Sequence, residues 1–150
     1  MFGYAPKLPL KPTADDGKYG LTKTINETVA QNLKNLVLTC PGERIMDPDF
    51  GVGLKLFLFE MNDNTTAGLI AERIQTQASL YMPNLTIENI NFVLPKEDRG
   101  ELTPLYAPRD QVDGNLLGIE IDYSIRGAGD MTKRIFIPAE DLTSATAGGY

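Results

Sequence analysis

In Leu117-Gly118-Ile119-Glu120-Ile121-Asp122-Tyr123-Ser124-Ile125 the large apolar side chains fall at every odd position, and small or charged ones fall between them. That period of two belongs to a strand with one face on a core and the other in water. A strand of this kind needs partners. Gly127-Ala128-Gly129-Asp130 supplies a hairpin turn into Thr132-Lys133-Arg134-Ile135-Phe136-Ile137, which Pro138 ends. Upstream, Leu85, Ile87, Ile90, Phe92 and Leu94 keep the same period, with a slip at Glu88-Asn89 that predicts a bulge. Three antiparallel strands result, and one face of the sheet they form must be covered.

Two segments with helical period can cover it. Thr24-Ile25-Asn26-Glu27 reads as a capping box, the threonine accepting from the amide three residues on and the glutamate reaching back. Ile25, Val29, Leu33, Leu36, Val37 and Cys40 follow as one apolar stripe, and the helix should stop before Pro41. A second helix is predicted from a cap at Thr65 or Thr66, with Ala67, Ile70, Ala71, Ile74, Ala78 and Tyr81 on one face and Pro83 as its end. Leu54 to Glu60 fits either a buried strand or a short helix. Leu54, Phe57, Leu58 and Met61 share a helical face, which favours the helix.

Helices followed by strands indicate an α+β fold, a small single domain whose N-terminal amphipathic helices pack on a three-stranded antiparallel sheet. Leu36, Leu54, Phe57, Ile74, Ile119 and Ile121 are the expected core. Residues 1–20 carry Pro6, Pro9 and Pro12 and read as an extended arm. The domain proper is expected over residues 21–142, with a small polar tail at 143–150. Pro95 to Gly114, rich in proline and mixed charge, reads as a connection without structure of its own.

Composition removes whole classes of function. With 150 residues, 42% of them hydrophobic, the chain suits one domain. It has no histidine, so Ser-His-Asp and Cys-His catalysis and imidazole–metal sites are out. Cys40 is the only cysteine; it cannot form an intrachain disulfide or a multi-thiolate metal site and is expected as a buried small apolar residue. A net charge of −6 argues against neutralising many phosphates, and nothing is long and apolar enough to span a membrane. The charge is uneven. Residues 1–34, with five basic and three acidic side chains, sum to +2 and the remainder to −8, so the arm could dock on an acidic surface.

Cys40 to Gly53 holds two prolines and three glycines and must be a shaped loop. Gly42-Glu43-Arg44 within it offers an acceptor fork beside a donor fork, suited either to contact with another chain or to an internal ion pair that pins the loop. Phe50 could face a partner or staple the loop to the core, and the core is favoured. Glu43 with Asp47 or Asp49 could form a catalytic acid–base pair, yet adjacent carboxylates are common in solvated loops and no apolar pocket is evident around them. Asp47, Asp49 and Asp63 with Asn62 and Asn64 lack the spacing of a calcium loop. No phosphate-cradling glycine motif occurs. No catalytic residue, metal or cofactor is therefore expected. Lys133-Arg134 either guards the edge of the last strand with charge or offers that edge for strand addition.

The helix ending Leu36-Val37-Leu38-Thr39 and continuing as Pro41-Gly42-Glu43-Arg44, then Pro48 and Phe50-Gly51, resembles the gene-product-25-like baseplate wedge proteins of contractile-tailed phages, a group that includes the type VI secretion protein TssE. The similarity spans roughly residues 20–140. It implies a structural virion protein of the tail baseplate, assembled in the host cytoplasm as part of a sixfold ring. Its partners would be wedge proteins, the sheath protein and tube or hub proteins, with no nucleic acid or membrane among them. Better-known members read Glu-Pro-Arg in the loop, where this chain has Glu43 and Arg44 adjacent. The resemblance assigns Glu43, Arg44, Pro48 and Phe50 to the wedge contact, with Glu43 and Arg44 dominant. It assigns Lys133, Arg134, Ile135, Phe136 and Ile137 to the sheath contact through strand addition, which makes the protein a sheath initiator. Some members have been described as lysozyme-like, and a TssE-like role in a secretion system is the alternative.

Overall fold

A computed structural model of the chain describes residues 2–12, 18–57, 60, 64–95, 102–104, 118–127 and 132–137. Helix α1 spans Ile25–Leu38. Its N-cap is Thr24, whose hydroxyl accepts from the Glu27 amide at 3.2 Å. The returning carboxylate of Glu27 takes the amide of Lys23, one residue before the cap, at 3.1 Å, so the box closes one position wider than expected. That amide, more than any other contact, holds the Glu27 carboxyl below its ordinary pKa. Helix α2 runs Asn64–Tyr81, starting just ahead of both threonines proposed as its cap. Between the helices, Leu54–Phe57 forms one 3-10 turn. Residues 58 and 59 of the expected short helix, and the tail at 143–150, lie outside the described residues, and the Glu60 amide donates to the Phe57 carbonyl at 3.1 Å.

The main sheet contains the three expected antiparallel strands, β3 (Leu85–Pro95), β5 (Gly118–Ile125) and β6 (Lys133–Ile137), with β5 in the middle. The register between β3 and β5 shifts between Ile87 and Asn89, where the sequence slip placed a bulge. The connection after β3 differs from expectation. Residues 102–104 form a short strand, β4, which pairs antiparallel with the far end of β3, giving the order β4-β3-β5-β6. A stretch set by proline and mixed charge hid a ladder made by backbone groups alone. Two further short strands, β1 (Ala5–Pro6) and β2 (Leu21–Thr22), pair with each other, tying the arm to the start of α1.

Both helices lie on one face of the sheet, α2 against β3 and α1 reaching β6. The core joins Leu33, Leu36 and Val37 of α1, Ile70, Ile74 and Ala78 of α2, and Ile119, Ile121, Tyr123, Ile125 and Ile137 of the sheet. Leu54 is buried with them and Phe57 is half-buried against them. Two expectations need correction. Ile25, the first residue of α1, is exposed, and Cys40 is only half-buried, two residues beyond the end of the helix at Leu38.

Candidate functional site

The loop from Thr39 to Gly53 leaves α1 and re-enters the core at Val52 and Leu54, which are buried. Its backbone is fastened at both ends. The Val52 amide donates to the Leu36 carbonyl at 3.0 Å and the Gly53 amide to the Thr39 carbonyl at 2.9 Å. Gly51 has φ of +107°, and a β-carbon there would fall onto the Thr39 carbonyl oxygen, so only glycine lets the returning strand pass the helix end this closely. From α2, the Gln77 side-chain amide works as a clip. Its Oε1 accepts from the Gly51 amide at 2.9 Å and its Nε2 donates to the Asp49 carbonyl at 3.1 Å. The Tyr81 hydroxyl donates to Asp47 Oδ1 at 3.0 Å. Burial, and then the Asp47 carboxylate, push the Tyr81 hydroxyl above its ordinary pKa.

Within this frame the expected wedge residues divide. Phe50 is 8% exposed and meets the Tyr81 ring edge-on at a centroid distance of 4.8 Å, so it staples the loop to α2 and the core. Glu43 is exposed, yet both its carboxylate oxygens point inward. Oε2 accepts from the Cys40 amide at 3.0 Å, and Oε1 lies 3.7 Å from Lys55 Nζ. The guanidinium carbon of Arg44 lies 3.6 Å from the centre of the Phe50 ring, a cation–π contact in place of an ion pair with its neighbour Glu43. Pro48 is exposed, and its carbonyl accepts from the Gly42 amide at 2.8 Å, closing the loop at its neck. The tip between them carries Ile45 and Met46, which are 95% and 96% exposed. Sequence reasoning passed over this pair. The available signal was an apolar dipeptide inside a loop framed by proline and glycine.

The second candidate surface is the edge strand β6. Its residues alternate: Ile137 is fully buried and Ile135 packs against the core, whereas Arg134 and Phe136 point away. Arg134 Nε lies 2.6 Å from Glu120 Oε1 and 2.7 Å from Asp122 Oδ1, both carboxylates standing on the outer face of β5. The hydrogen bond to Asp122, followed by the two negative charges, raises the Arg134 pKa further. Beyond β6 no described strand pairs with its outer edge.

The arm is held by side chains as well. Gln31 donates to the Pro6 carbonyl and accepts from the Leu8 amide, both at 2.9 Å, taking the part of a neighbouring strand. Thr22 bonds Ala5 in both directions at 3.1 Å. Phe2, Tyr4, Leu8 and Leu10 stay exposed. Among the described residues no group of three or more acidic or cysteine side chains could hold a metal ion, and no helix is long and apolar enough to cross a membrane.

A family model described as baseplate wedge protein gp25 matches residues 23–130, which include α1, the loop, α2, β3, β4 and β5. Among solved structures, a Geobacter sulfurreducens protein named as a candidate tail lysozyme is similar at a TM-score of 0.58 and 24% identity, over 79% of this chain and 93% of that one. A chain of the sixfold-symmetrised baseplate of the anti-feeding prophage is similar at a TM-score of 0.57 and 24% identity, over 82% of this chain and 85% of that one. Both likenesses establish the fold. No curated protein matches the chain.

Proposed function

The chain belongs to the family of baseplate wedge protein gp25, and from that premise we propose that it is a sheath initiator, a structural part of a contractile tail that joins the inner baseplate to the first sheath ring. The family match over residues 23–130 carries this reading, and the likeness of the fold to a chain of the anti-feeding prophage baseplate supports it. The fold offers two surfaces suited to the task, framed by one core. The clipped loop presents side chains to a wedge partner, and β6 presents to a sheath subunit a backbone edge that pairs with no other described strand. Six copies in a ring would set the register and symmetry from which sheath subunits propagate.

The protein works by geometry, without cofactor and without bond-making. Glu43, the residue a muralytic mechanism would need, is engaged by Lys55 and the Cys40 amide, and Asp47 by Tyr81. Quantitative mass spectrometry of purified tails tests the proposal. A low fixed ratio to the sheath protein, consistent with a single ring, is the expected result, and absence from tails overturns it. Release of soluble fragments from peptidoglycan by the purified chain, lost in Glu43→Gln, would establish the lysozyme reading instead.

A further inference from the structure

The arm at residues 2–12 is attached to the domain in an inverted sense, with its small side inward and its apolar side outward. Apolar side chains occupy every even position from Phe2 to Leu10, and Phe2, Tyr4, Leu8 and Leu10 are exposed. On the inner side Gly3 passes so close to Leu21 that a β-carbon there would collide with that side chain, and Ala5 is half-buried. No described arm side chain belongs to the hydrophobic core or packs against it. Hydrogen bonds do the fastening. The Tyr4 amide donates to the Thr22 carbonyl at 2.9 Å and the Lys7 amide to the Gly20 carbonyl at 2.8 Å. Thr22, only 2% exposed, grips Ala5 by its amide and its carbonyl through one hydroxyl, which also lies 2.9 Å from the Thr28 hydroxyl on α1. Gln31 then takes the Pro6 carbonyl and the Leu8 amide.

From this arrangement we infer that residues 2–12 form a strap that opens and closes as a unit while the domain stays folded, and that Thr22 and Gln31 are the clasp that sets how much of it is closed. Each bond in the clasp replaces one to water, so its net gain is small, whereas ordering the chain costs entropy at every residue. The core elements offset that cost with buried apolar area; the arm buries almost none, so it stands at the low end of the range of opening free energies within the molecule. Opening leaves the clasp itself in place, because α1 is held to the core through Leu33, Leu36 and Val37 and loses none of those contacts when the arm departs. Closed, the strap holds four apolar side chains as a fixed outward row; open, it releases them as a free chain. The device is independent of the loop at 39–53 and of β6, and it does not rest on the sheath-initiator reading.

Hydrogen–deuterium exchange of the full chain, read by mass spectrometry, tests it. In the wild type the amides of Tyr4, Ala5, Lys7 and Leu8 should exchange about tenfold to a hundredfold more slowly than in an unstructured chain, and those of β5 more slowly again by at least about a thousandfold. Gln31→Leu and Thr22→Val should each bring the arm towards the unstructured rate while exchange in β5 stays as in the wild type. Thr22→Ser, which retains the hydroxyl, should retain most of the protection. Should Thr22→Val fail to fold, Gln31→Leu carries the test, since Gln31 lies outside the core. Arm amides that exchange as slowly as those of β5 would show one cooperative unit and overturn the inference. So would a wild-type arm with no protection, or protection left undiminished in Gln31→Leu.

Discussion

The loop at 39–53 and the strand at 133–137 are both surface segments framed by the same core, yet they are held in opposite ways. The loop ties its backbone down at its neck and its return, with amides of Gly42, Gly51, Val52 and Gly53 all donating within the protein, and what it offers outward is mainly side chains. The strand buries Ile137 and packs Ile135 inward while one row of its backbone groups has no described neighbour, so what it offers is main chain. A side-chain surface is specific and tolerates little movement; a backbone edge is generic and suits a repeating partner. One small domain therefore carries two different kinds of surface, one of side chains and one of main chain.

The contrast can be broken most severely at Gly51. Gly51→Ala combines a left-handed backbone with a collision against the Thr39 carbonyl and should cost about 4 kcal/mol in chemical unfolding. Gly42→Ala, at φ of +90° with open space around it, should cost about 1 kcal/mol, so equal losses would show that conformation alone, and not the helix end, fixes the loop. On the strand, Ile137→Ala should cost about 3 kcal/mol by opening the core, whereas Phe136→Ala, 38% exposed on the outer face, should leave the melting temperature nearly unchanged.

Alkaline titration sharpens the comparison further. Because the folded state holds the Tyr81 hydroxyl protonated beyond its ordinary value of 10.0, the stability it brings is whole below that pH and is lost as pH rises through the raised value. Wild type should thus lose more stability than Tyr81→Phe between neutral and strongly alkaline pH. Tyr123, also raised, by burial, contributes equally to both proteins and drops out of the difference. The smallest effect belongs to the outer face of the strand. Arg134→Gln removes the cation, 63% exposed, that bridges two carboxylates only 10% and 13% exposed, and should lower the melting temperature modestly, with a smaller difference at high salt.

The sequence by itself determined the main elements, α1, α2, β3, β5 and β6, though not the short β1, β2 and β4, because the causes of the main ones are local. A threonine cap and a proline stop bound α1, a period of two marks β5, and one slipped residue marks the bulge in β3. It also determined what chemistry is excluded, since a chain without histidine has no imidazole anywhere. Tertiary structure alone decided what the loop residues do. The contacts of Gln77 with Gly51 and of Tyr81 with Asp47 join positions 26 and 34 residues apart, and they exist only once α2 has packed across the end of α1. Before that packing, Glu43 and Arg44 read as partner contacts, with each other's ion pair as the alternative. After it, Lys55 and Phe50 occupy them, and the exposed tip passes to Ile45 and Met46. Spacing along a chain fixes which side chains share a face; only packing fixes which faces are already occupied.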